Sequence, residues 1–562
     1  MSPNPIQSIV PLELLLKYNF FDLYPFDGGG SFIHRKYIHS IDDIKGAENI
    51  LNGAINEFGS LENIDFAKFE YWNTIEQSCW INRMYFIMHL TKYANVKKDN
   101  NVAEIVCKII EHFIKNYPGP ATLEEAVTHW KRVTNDRDNG YNVYGPEYDA
   151  PTEYIWFDFQ VASRIIHIAH TICLLKDLPA LTKKRLTLFL DSLKVHAQSI
   201  YFIEKYHLKP VFGNHQAVRA LALLYACEIF KDNPECKDWL DVGKSLSEFH
   251  ILNDFMSDGM QYDISPSYHF FQTWITRDML IIAERNNWNF SIEAKKVANE
   301  AFKICHLMRQ PDGLSPVIND GYALDMDSFN STIPQIKNEE KVILPHSNLA
   351  ILNNKKTFLL LDGSPLLRKL SHYHGGKLGI TLFINGKQFL IDGATCNYDD
   401  QEFSLHYKRA QAHSSLQIDV KDNSVLQGRY TWIANPTISF SNWNNNTISG
   451  TATSNAPGWE KIIWQRTITL EEKECTINDL VETNRNVNMT FQLILHKDVK
   501  IERIGKDLLL TNGDTTLKMS STLPFEISTS LGFVDFQQTS LLKLVFSTTS
   551  AGGNFQIKFS QV

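Results

Sequence analysis

The sequence predicts an α+β protein in two parts, an N-terminal (α/α) toroid followed by a C-terminal antiparallel β-sandwich. Apolar residues recur at helical spacing up to about residue 309, and from about residue 378 they alternate with polar residues as in strands. A polar, proline-bounded segment near residues 330–350 is typical of a linker. We therefore expect a helical toroid domain over residues 1–335 and a β-sandwich domain over residues 336–562.

The helices of the first part are separated by short loops that carry Pro, Gly and Asn, such as Tyr117-Pro118-Gly119-Pro120. Successive helices with short connections pack as antiparallel pairs, and such pairs can be arranged in a ring. The predicted helices cover residues 42–57, 72–95, 101–116, 121–132, 154–175, 181–204, 213–231, 236–252, 268–286 and 292–309.

The second part begins with a strong hairpin signal. Leu378, Ile380, Leu382 and Ile384 lie on one face of a predicted strand, and Asn385-Gly386 turns the chain back. Thr, Val, Ile and Phe are enriched from here on, and no long helical pattern appears. Further strands are predicted over residues 416–420, 425–433, 436–442, 446–453, 459–471, 489–496, 507–511, 515–520 and 542–547.

Composition excludes several classes of protein. With 562 residues, 43% of them hydrophobic, the chain can bury a large core. A net charge of -8 argues against a general nucleic-acid binder, so a polyanionic ligand requires a local basic groove. The absence of a run of about 18 apolar residues predicts no membrane span. The eight cysteines form no C-x-x-C pair and are predicted to be buried free thiols.

The first ten residues, M-S-P-N-P-I-Q-S-I-V, lack the basic region and apolar core of a signal peptide. This pattern indicates a cytoplasmic protein, or else the processed form of a periplasmic protein with an added methionine. No feature of the sequence indicates an oligomeric state.

The stretch Ser257–Gln272 contains the first group of candidate functional residues. Ser265-Pro266 breaks local regularity, and a helix is predicted just after it with Ser267 as its N-cap. Tyr268 and His269 then lie in the first helical turn, where the helix dipole favours negative charge. A tyrosine in that position ionises more easily than a free phenol, whose pKa is about 10. The alternative is a capped helix whose aromatic side chains pack into a core.

A second group opens another predicted helix, V-F-G-N-H-Q-A-V-R. Asn214 is either the N-cap of this helix or a donor of an amide hydrogen bond to a bound anion, with His215 beside it. Arg219 lies about one turn further along. It either faces the same ligand or is an ordinary solvated or salt-bridged arginine.

A third group lies at strand starts and hairpin ends in the second part. His372 and His374 are two residues apart on an extended chain, so both point to one face. Asp392 follows on the partner strand of the hairpin, and His413 stands at another strand start. This set fits a zinc site of three ligands plus a neighbouring catalytic imidazole, although each histidine taken alone can be structural.

The motifs F-G-N-H-Q at 212–216, S-P-S-Y-H at 265–269, H-Y-H at 372–374 and R-A-Q-A-H-S-S at 409–415 occur in that order. With them the chain resembles the heparinase II/III-like polysaccharide lyases over nearly its full length. This resemblance implies β-elimination at a uronic acid of an acidic polysaccharide, which leaves an unsaturated uronate end. A glycosaminoglycan such as heparan sulfate is the foremost substrate, with hyaluronan or chondroitin, alginate and capsular glycans as alternatives.

The resemblance also implies roles for individual residues. The hydrogen on C5 of a uronate is weakly acidic while the adjacent carboxylate keeps its charge, so the carboxylate must be neutralised by hydrogen bonds. Asn214, helped by His215, takes this role. Tyr268 acts as general base, general acid or both, depending on the face from which the proton leaves, and His372 is the second proton-transfer group.

His374, Asp392 and His413 match the metal positions of the resembled family, where zinc is expected in a structural, organising role. The chain departs from the family pattern at two places. Gly375-Gly376-Lys377 stands where an Asp often follows the H-x-H pair, and Ser414-Ser415 stands where Asn-Thr often follows the later histidine.

Further residues are candidates for binding the acidic polysaccharide. Arginine can clamp carboxylates or sulfates with two hydrogen bonds, and aromatic rings can stack on sugar faces. The alternative for each is a core tryptophan, a structural histidine or a salt-bridged arginine. The candidate substrate-binding residues are His215, Arg219, His269, Arg83, Trp156, Arg164 and Arg409.

Two other functions compete with a lyase. A glycoside hydrolase on a helical toroid needs two carboxylates that flank the scissile bond, and Asp258, Asp263 and Asp320 are available in predicted loops. A non-catalytic protein that binds acidic glycans is the other alternative. The joint presence of Asn214, Tyr268 and His372 argues against this second alternative.

Overall fold

The structure, a computed structural model, describes residues 43–67, 81–139, 149, 151–207, 209–337, 339–354, 356–367, 372–395, 401–428, 431–535 and 537–562. The chain forms two compact units. The helical unit consists of Met1–Asp254 and Phe271–Ala298, and the sheet unit consists of Phe255–Phe270 and Asn299–Val562. The domain boundary after residue 335 stays a prediction. Residues 72–80 of one predicted helix lie outside the described residues, as do Cys79, Cys396 and Ser371.

The helices before residue 310 follow the predicted order, but the predicted helix 154–175 is interrupted before Phe159, where Asp158 has a positive φ of 57°, and the predicted helix 42–57 ends at Leu51. The helix Asn100–Asn116 shows the reason for the agreement: the side chain of Asp99 caps its first turn, and its buried face carries Val106, Ile110 and Phe113. The helices are Asp43–Leu51, Phe86–Lys97, Asn100–Asn116, Leu123–Asp138, Pro151–Ile155, Phe159–Leu175, Lys183–His207, Asn214–Ile229, Cys236–Asn253, Pro266–Asn286 and Ile292–Leu307.

The helix Pro266–Asn286 begins two residues earlier than expected. Proline is favoured at a first helical position because its missing N–H needs no partner there. The hydroxyl of Ser265, not that of Ser267, accepts a hydrogen bond from the backbone N–H of Tyr268 at 3.4 Å. Trp274 and Met279 of this helix are fully buried.

The sheet unit holds two large antiparallel sheets and a small one. Five strands form the first sheet in the order β1-β2-β3-β4-β5. Their bounds are Lys341–Leu344, Leu349–Asn354, Thr357–Asp362, Ile380–Ile384 and Lys387–Leu390. Strand β1 lies inside the segment predicted to be a linker, because K-V-I-L can pair with β2. Asn385 and Gly386 have positive φ angles of 53° and 77°, which confirms the predicted tight turn between β4 and β5.

The second sheet has the order β13-β14-β15-β17-β12-β11-β10-β9, with β16 paired to β17 and β6 paired to β12. Strands β7 and β8 form a separate ribbon. These strands are β6 Leu416–Ile418, β7 Val425–Gln427, β8 Thr431–Ala434, β9 Thr437–Phe440, β10 Thr447–Thr453, β11 Ile463–Leu470, β12 Glu474–Ile494, β13 Lys500–Ile504, β14 Asp507–Asn512, β15 Thr515–Ser521, β16 Phe525–Val534 and β17 Gln537–Gln561.

One hydrophobic core joins the two large sheets. It contains Leu361 and Leu382 from the first sheet and Trp464, Ile477 and Phe491 from the second. Two sheets that bury their inner faces against each other form a sandwich. The predicted fold class, a helical part followed by an antiparallel β-sandwich, is therefore confirmed. The short helices Met326–Asn330 and Gln401–Lys408 complete the unit.

The cysteines and the helices bear on two predictions made from composition. Cys107, Cys173, Cys227, Cys236, Cys305 and Cys475 are buried free thiols, as predicted. In the described part of the chain, every helix is too short or too polar to cross a bilayer.

Candidate active site

In the sheet unit, Tyr268 and His372 form a stacked pair. Their ring centroids lie 3.9 Å apart with an interplanar angle of 24°. Both side chains are partly exposed. The Nδ1 atom of His372 lies 2.8 Å from the carboxylate of Asp320. Because a carboxylate accepts, Nδ1 carries the proton, and Nε2 of neutral His372 is left as an acceptor.

Asp320 is fully buried and uses both carboxylate oxygens. Its Oδ2 accepts from His372 and from the ammonium of Lys408 at 3.3 Å, and its Oδ1 accepts from Nε2 of His374 at 2.7 Å and from the hydroxyl of Thr395 at 3.0 Å. Burial alone would raise the pKa of Asp320. The charge of Lys408 and the histidine hydrogen bonds outweigh burial and hold the pKa well below its usual value. Asp320 is therefore a buried anion.

The backbone around Asp320 joins two of the predicted motifs. The N–H of Asp320 donates to the carbonyl of His372 at 3.0 Å, and the carbonyl of Asp320 accepts from the hydroxyl of Ser265. The side chain of Asn319 donates to the carbonyl of Ile264 and accepts from the N–H of His374. This turn therefore holds S-P-S-Y-H beside H-Y-H, and so Tyr268 beside His372.

Gly321 completes the same turn. Its φ angle is 140°, and a Cβ atom there would collide with the hydroxyl of Ser267. That hydroxyl donates to the carbonyl of Tyr322 at 2.9 Å. From the sequence alone, Asp320 is a candidate only as a carboxylate of a hydrolase. The N-D-G signal at 319–321 marks a turn, which is the local feature by which this segment could have been found.

His374, Asp392 and His413 form a buried cluster whose potential ligand atoms all lie within 4.8 Å of one another. Nδ1 of His413 lies 2.7 Å from Asp392. His374 uses Nε2 for Asp320, while its buried Nδ1 has no hydrogen-bond partner in the part of the chain that the structure describes. A buried imidazole nitrogen without a partner is costly unless it binds something. Two imidazoles and a carboxylate therefore fit a metal ion.

The charges of this cluster suit a cation as well. Burial lowers the pKa of His374 to about 4, so the ring is neutral and can offer a lone pair at neutral pH. Burial also opposes the charged form of Asp392, but His413 and His374 outweigh this effect and hold the Asp392 pKa below its usual value. The cluster therefore presents an anionic oxygen beside a neutral imidazole.

In the helical unit, Asn214 is the first residue of the helix Asn214–Ile229. The N-cap is Gly213, which has a positive φ of 128° and no side chain to bond the helix end. The N-cap alternative for Asn214 is therefore wrong, because Gly213 holds that position. Its half-buried amide lies at the end of the helix where anions bind favourably.

His215 and Arg219 share one carboxylate. Nδ1 of His215 lies 2.5 Å from Asp158, and Arg219 pairs with Asp158 and with Glu204. Burial opposes ionisation of Asp158, but the charges of His215 and Arg219 hold its pKa well below the usual value. Arg219 is nearly buried, whereas the side chain of His215 is 53% exposed. His215 is thus the accessible member of this group.

Gln216 extends this group into the core of the helical unit. Its amide nitrogen donates to Glu204 at 2.6 Å, and its amide oxygen accepts from the N–H of Val211 at 2.6 Å. His250 lies 3.2 Å from the same oxygen. Buried hydrogen bonds of Gln216 therefore fix the F-G-N-H-Q segment at the start of its helix.

Two candidate substrate-binding residues of the helical unit are buried. The guanidinium of Arg164 donates to the carbonyls of Asn82 and Ile155 and to His196, each at 2.9 Å. Burial lowers the pKa of Arg164 to about 9. The indole of Trp156 donates to the carbonyl of Tyr117 and packs against the same arginine. Both side chains therefore make structural contacts in the core. Substrate binding by either of them stays a prediction.

Of the three other candidate substrate-binding residues, two are buried and one is exposed. The guanidinium of Arg83 is buried over the ring of Phe159. His269 is fully buried between the backbone of Gln261 and that of Ala301, and burial lowers its pKa to about 3. Arg409 is 46% exposed and pairs with Asp422 at 2.8 Å. Substrate binding by these three residues also stays a prediction.

Two protein-family models match the chain. The Heparinase II/III N-terminus matches residues 50–343, and the Heparinase II/III-like C-terminal domain matches residues 337–557. The chain is 24% identical over 307 residues to a heparin-sulfate lyase of Pedobacter heparinus, and this match covers 49% of the chain and 46% of that protein. It is 21% identical over 332 residues to a heparin-sulfate lyase of Bacteroides thetaiotaomicron, covering 50% of the chain and 46% of that protein. In these matches the chain spans about half the length of each curated relative.

Solved structures share the fold at low sequence identity. A crystal structure of heparinase III has a TM-score of 0.66 at 14% identity and covers 86% of this chain and 77% of that chain. A mutant of the heparan sulfate lyase HepC from Pedobacter heparinus has a TM-score of 0.60 at 18% identity, with coverage of 90% and 79%. Because the two family models together span residues 50–557, the chain belongs to the heparinase II/III family.

Proposed function

We propose that the protein is a polysaccharide lyase that cleaves a uronic-acid-containing acidic polysaccharide by β-elimination. The observation that carries this proposal is the stacked, partly exposed pair of Tyr268 and His372, with His372 hydrogen-bonded to a buried anionic carboxylate. Membership of the heparinase II/III family supports it. Heparan sulfate is the foremost substrate, since the curated relatives are named heparin-sulfate lyases.

Elimination requires that the C5 proton leaves and that the bond to the 4-oxygen breaks. The Nε2 atom of neutral His372 can accept a proton, and the phenol of Tyr268 can donate one to the departing oxygen. For the opposite configuration at C5, Tyr268 serves as both base and acid. The product is a C4–C5 double bond on one fragment and a new hydroxyl on the other, and no water is consumed.

The negative charge of the uronate carboxylate must be neutralised, because it would otherwise repel the negative charge that develops as the C5 proton leaves. We assign this task to the amide of Asn214 and to His215, at the first two positions of a helix whose N-terminus attracts anions. Asp158 orients His215 by holding Nδ1, which leaves the other ring nitrogen for a ligand. Arg219 supports the same group from the buried side.

We also propose that His374, Asp392 and His413 hold a zinc ion. Two nitrogen ligands and one oxygen ligand are a common zinc donor set, and the unpartnered Nδ1 of buried His374 supports a metal at this position. When bound, the ion would hold these three side chains in fixed positions. Proton transfer remains with Tyr268 and His372.

The geometry favours elimination over glycoside hydrolysis. A hydrolase needs one carboxyl group that stays protonated near neutral pH. Asp320 is held as an anion by Lys408 and two histidines. Asp258 accepts hydrogen bonds from the backbone N–H groups of His346 and Ser347 through one carboxylate oxygen, so that oxygen is already engaged in holding this turn.

The test is an ultraviolet absorbance assay on heparan sulfate, chondroitin, hyaluronan and alginate, with mass spectrometry of the products. Growth of absorbance together with unsaturated oligosaccharides supports elimination and identifies the substrate. Saturated fragments would instead support a hydrolase, and binding without cleavage would support a glycan-binding protein. Tyr268→Phe should lower turnover by at least about 100-fold. Tyr262→Phe, which changes a partly exposed tyrosine of the same segment, is the matched control.

A further inference from the structure

We propose that Asp320 is a positioning residue that orients two side chains with different tasks, His372 for proton transfer and His374 for metal binding. The inference rests on the proposed function, and it adds a residue to which neither the motifs nor the comparisons give a role. Asp320 is fully buried, so it acts through the two histidines and does not touch a substrate.

The first half of this role concerns His372. The hydrogen bond from Nδ1 to Oδ2 is 2.8 Å long, and the backbone N–H of Asp320 binds the carbonyl of the same histidine at 3.0 Å. The ring is therefore held at two points, with one face against Tyr268. A fixed Nδ1–H also fixes the tautomer, so that Nε2 is the nitrogen that can take a proton.

The second half concerns His374. Its Nε2 donates to Oδ1 of Asp320 at 2.7 Å, and Thr395 donates to the same oxygen at 3.0 Å. Once Nε2 carries the hydrogen, Nδ1 must offer its lone pair, and Nδ1 is the atom that is buried without a partner. A carboxylate behind a ligating histidine sets the tautomer and orientation of that ligand.

The two halves share one carboxylate, so a change of Asp320 must affect both. Lys408, which is itself fully buried, lies 3.3 Å from Oδ2 and holds the carboxylate between the two histidines. Here each oxygen also accepts from one of the two functional histidines.

The experiment compares Asp320→Asn with the wild-type enzyme and with Asp362→Asn. Asp362 is also nearly buried and pairs with a buried lysine, Lys377, at 2.7 Å. It therefore serves as the control for the general cost of neutralising a buried carboxylate. kcat and KM are measured at saturating zinc, and zinc affinity is measured without substrate by competition with a chromophoric chelator.

For Asp320→Asn we expect kcat to fall about 10–100-fold with KM nearly unchanged, and zinc affinity to fall by a similar factor. Asp362→Asn should lose stability without either change. Wild-type kcat and zinc affinity in Asp320→Asn would overturn the proposal, as would equal losses in Asp362→Asn. Thr395→Val touches only the Oδ1 side, so it should weaken zinc more than it lowers kcat, and it provides the test if Asp320→Asn does not fold.

The outcomes separate this inference from the proposed function. If the wild-type enzyme forms no unsaturated product on any uronate glycan, the proposed function fails. The zinc competition then still tests the contact between Asp320 and His374. If the wild-type enzyme is a lyase and Asp320→Asn matches it in both measurements, only the inference about Asp320 fails.

Discussion

Replacement of Gly376 by alanine tests the position of His413, because the added methyl group would displace this candidate metal ligand directly. A Cβ atom on Gly376 would come within 3.0 Å of three atoms of the His413 side chain, closer than real Cβ atoms essentially ever approach. The His413 ring is fixed on both nitrogens, by Asp392 at 2.7 Å and by the carbonyl of Tyr407 at 2.8 Å. The ring can therefore retreat only by giving up these bonds.

The magnitude follows from that geometry. Restoring ordinary contact requires a shift of roughly 1 Å, whereas metal–ligand distances tolerate only about 0.2 Å. A lost hydrogen bond to a charged group costs about 1.5–3 kcal/mol. Because Asp392 would be left buried without its partner, the total loss of unfolding free energy should reach about 3–5 kcal/mol. We therefore expect Gly376→Ala to be destabilised and to retain little metal.

The assay is elemental analysis of dialysed protein, together with urea unfolding followed by tryptophan fluorescence. Gly375→Ala is the matched control, because the nearest atom to its Cβ would be the carbonyl oxygen of Lys408 at 3.3 Å, which requires only a small adjustment. Gly376→Ala with the metal content and unfolding midpoint of the wild-type protein would refute this reasoning about His413.

Three further predictions follow from the described contacts. Tyr268→Phe should lower kcat by about 10²–10⁴-fold without a change in unfolding midpoint, and near-wild-type turnover would remove Tyr268 from proton transfer. Removal of the metal by a chelator should lower the thermal midpoint of the wild-type protein more than that of His374→Ala, as measured by calorimetry; equal shifts would exclude His374 as a ligand. Asp158→Asn should cost about 3–5 kcal/mol at pH 7 because it leaves Arg219 under-paired. The pKa of Asp158 in the folded protein lies below its ordinary value of 3.8. Its contribution to the free energy of unfolding is therefore complete above that pH and is lost progressively as the pH falls further. The unfolding midpoints of the wild-type protein and of Asp158→Asn should therefore approach each other below pH 4. A gap that stays constant down to pH 3 would contradict this assignment.

The sequence predicted the local elements well and the long strands poorly. The Asn385-Gly386 turn is recognisable because it depends on two adjacent residues. Strand β12 was predicted only over its last residues, since its pairing with β17 shifts register between Glu482 and Val487 and its middle is polar. Strands β1, β2, β3, β13 and β16 were missed as well. A short apolar run such as T-F-L-L-L-D does not distinguish strand from helix by period alone.

The site shows the same division between local and distant information. The spacing of His372 and His374 is visible in the sequence, but their common partner Asp320 lies more than fifty residues away, and only the folded chain joins them. Arg164 is the opposite case. The sequence offers it either as a clamp for an acidic group or as a structural arginine, and the folded chain adds that its guanidinium donates to two backbone carbonyls and His196 inside the helical unit.

The sheet unit takes Phe255–Phe270 and residues 299–335 from the N-terminal part of the chain. A gene fragment that starts at residue 336 would therefore encode His372 without Tyr268 and without Asp320. Chimeras between relatives that are joined at that point would combine the tyrosine of one parent with the histidine of the other. Exchange of the intact stacked pair requires that residues 255–270 and 299–335 travel with the sandwich, so recombination at the apparent linker would separate groups that must fit each other.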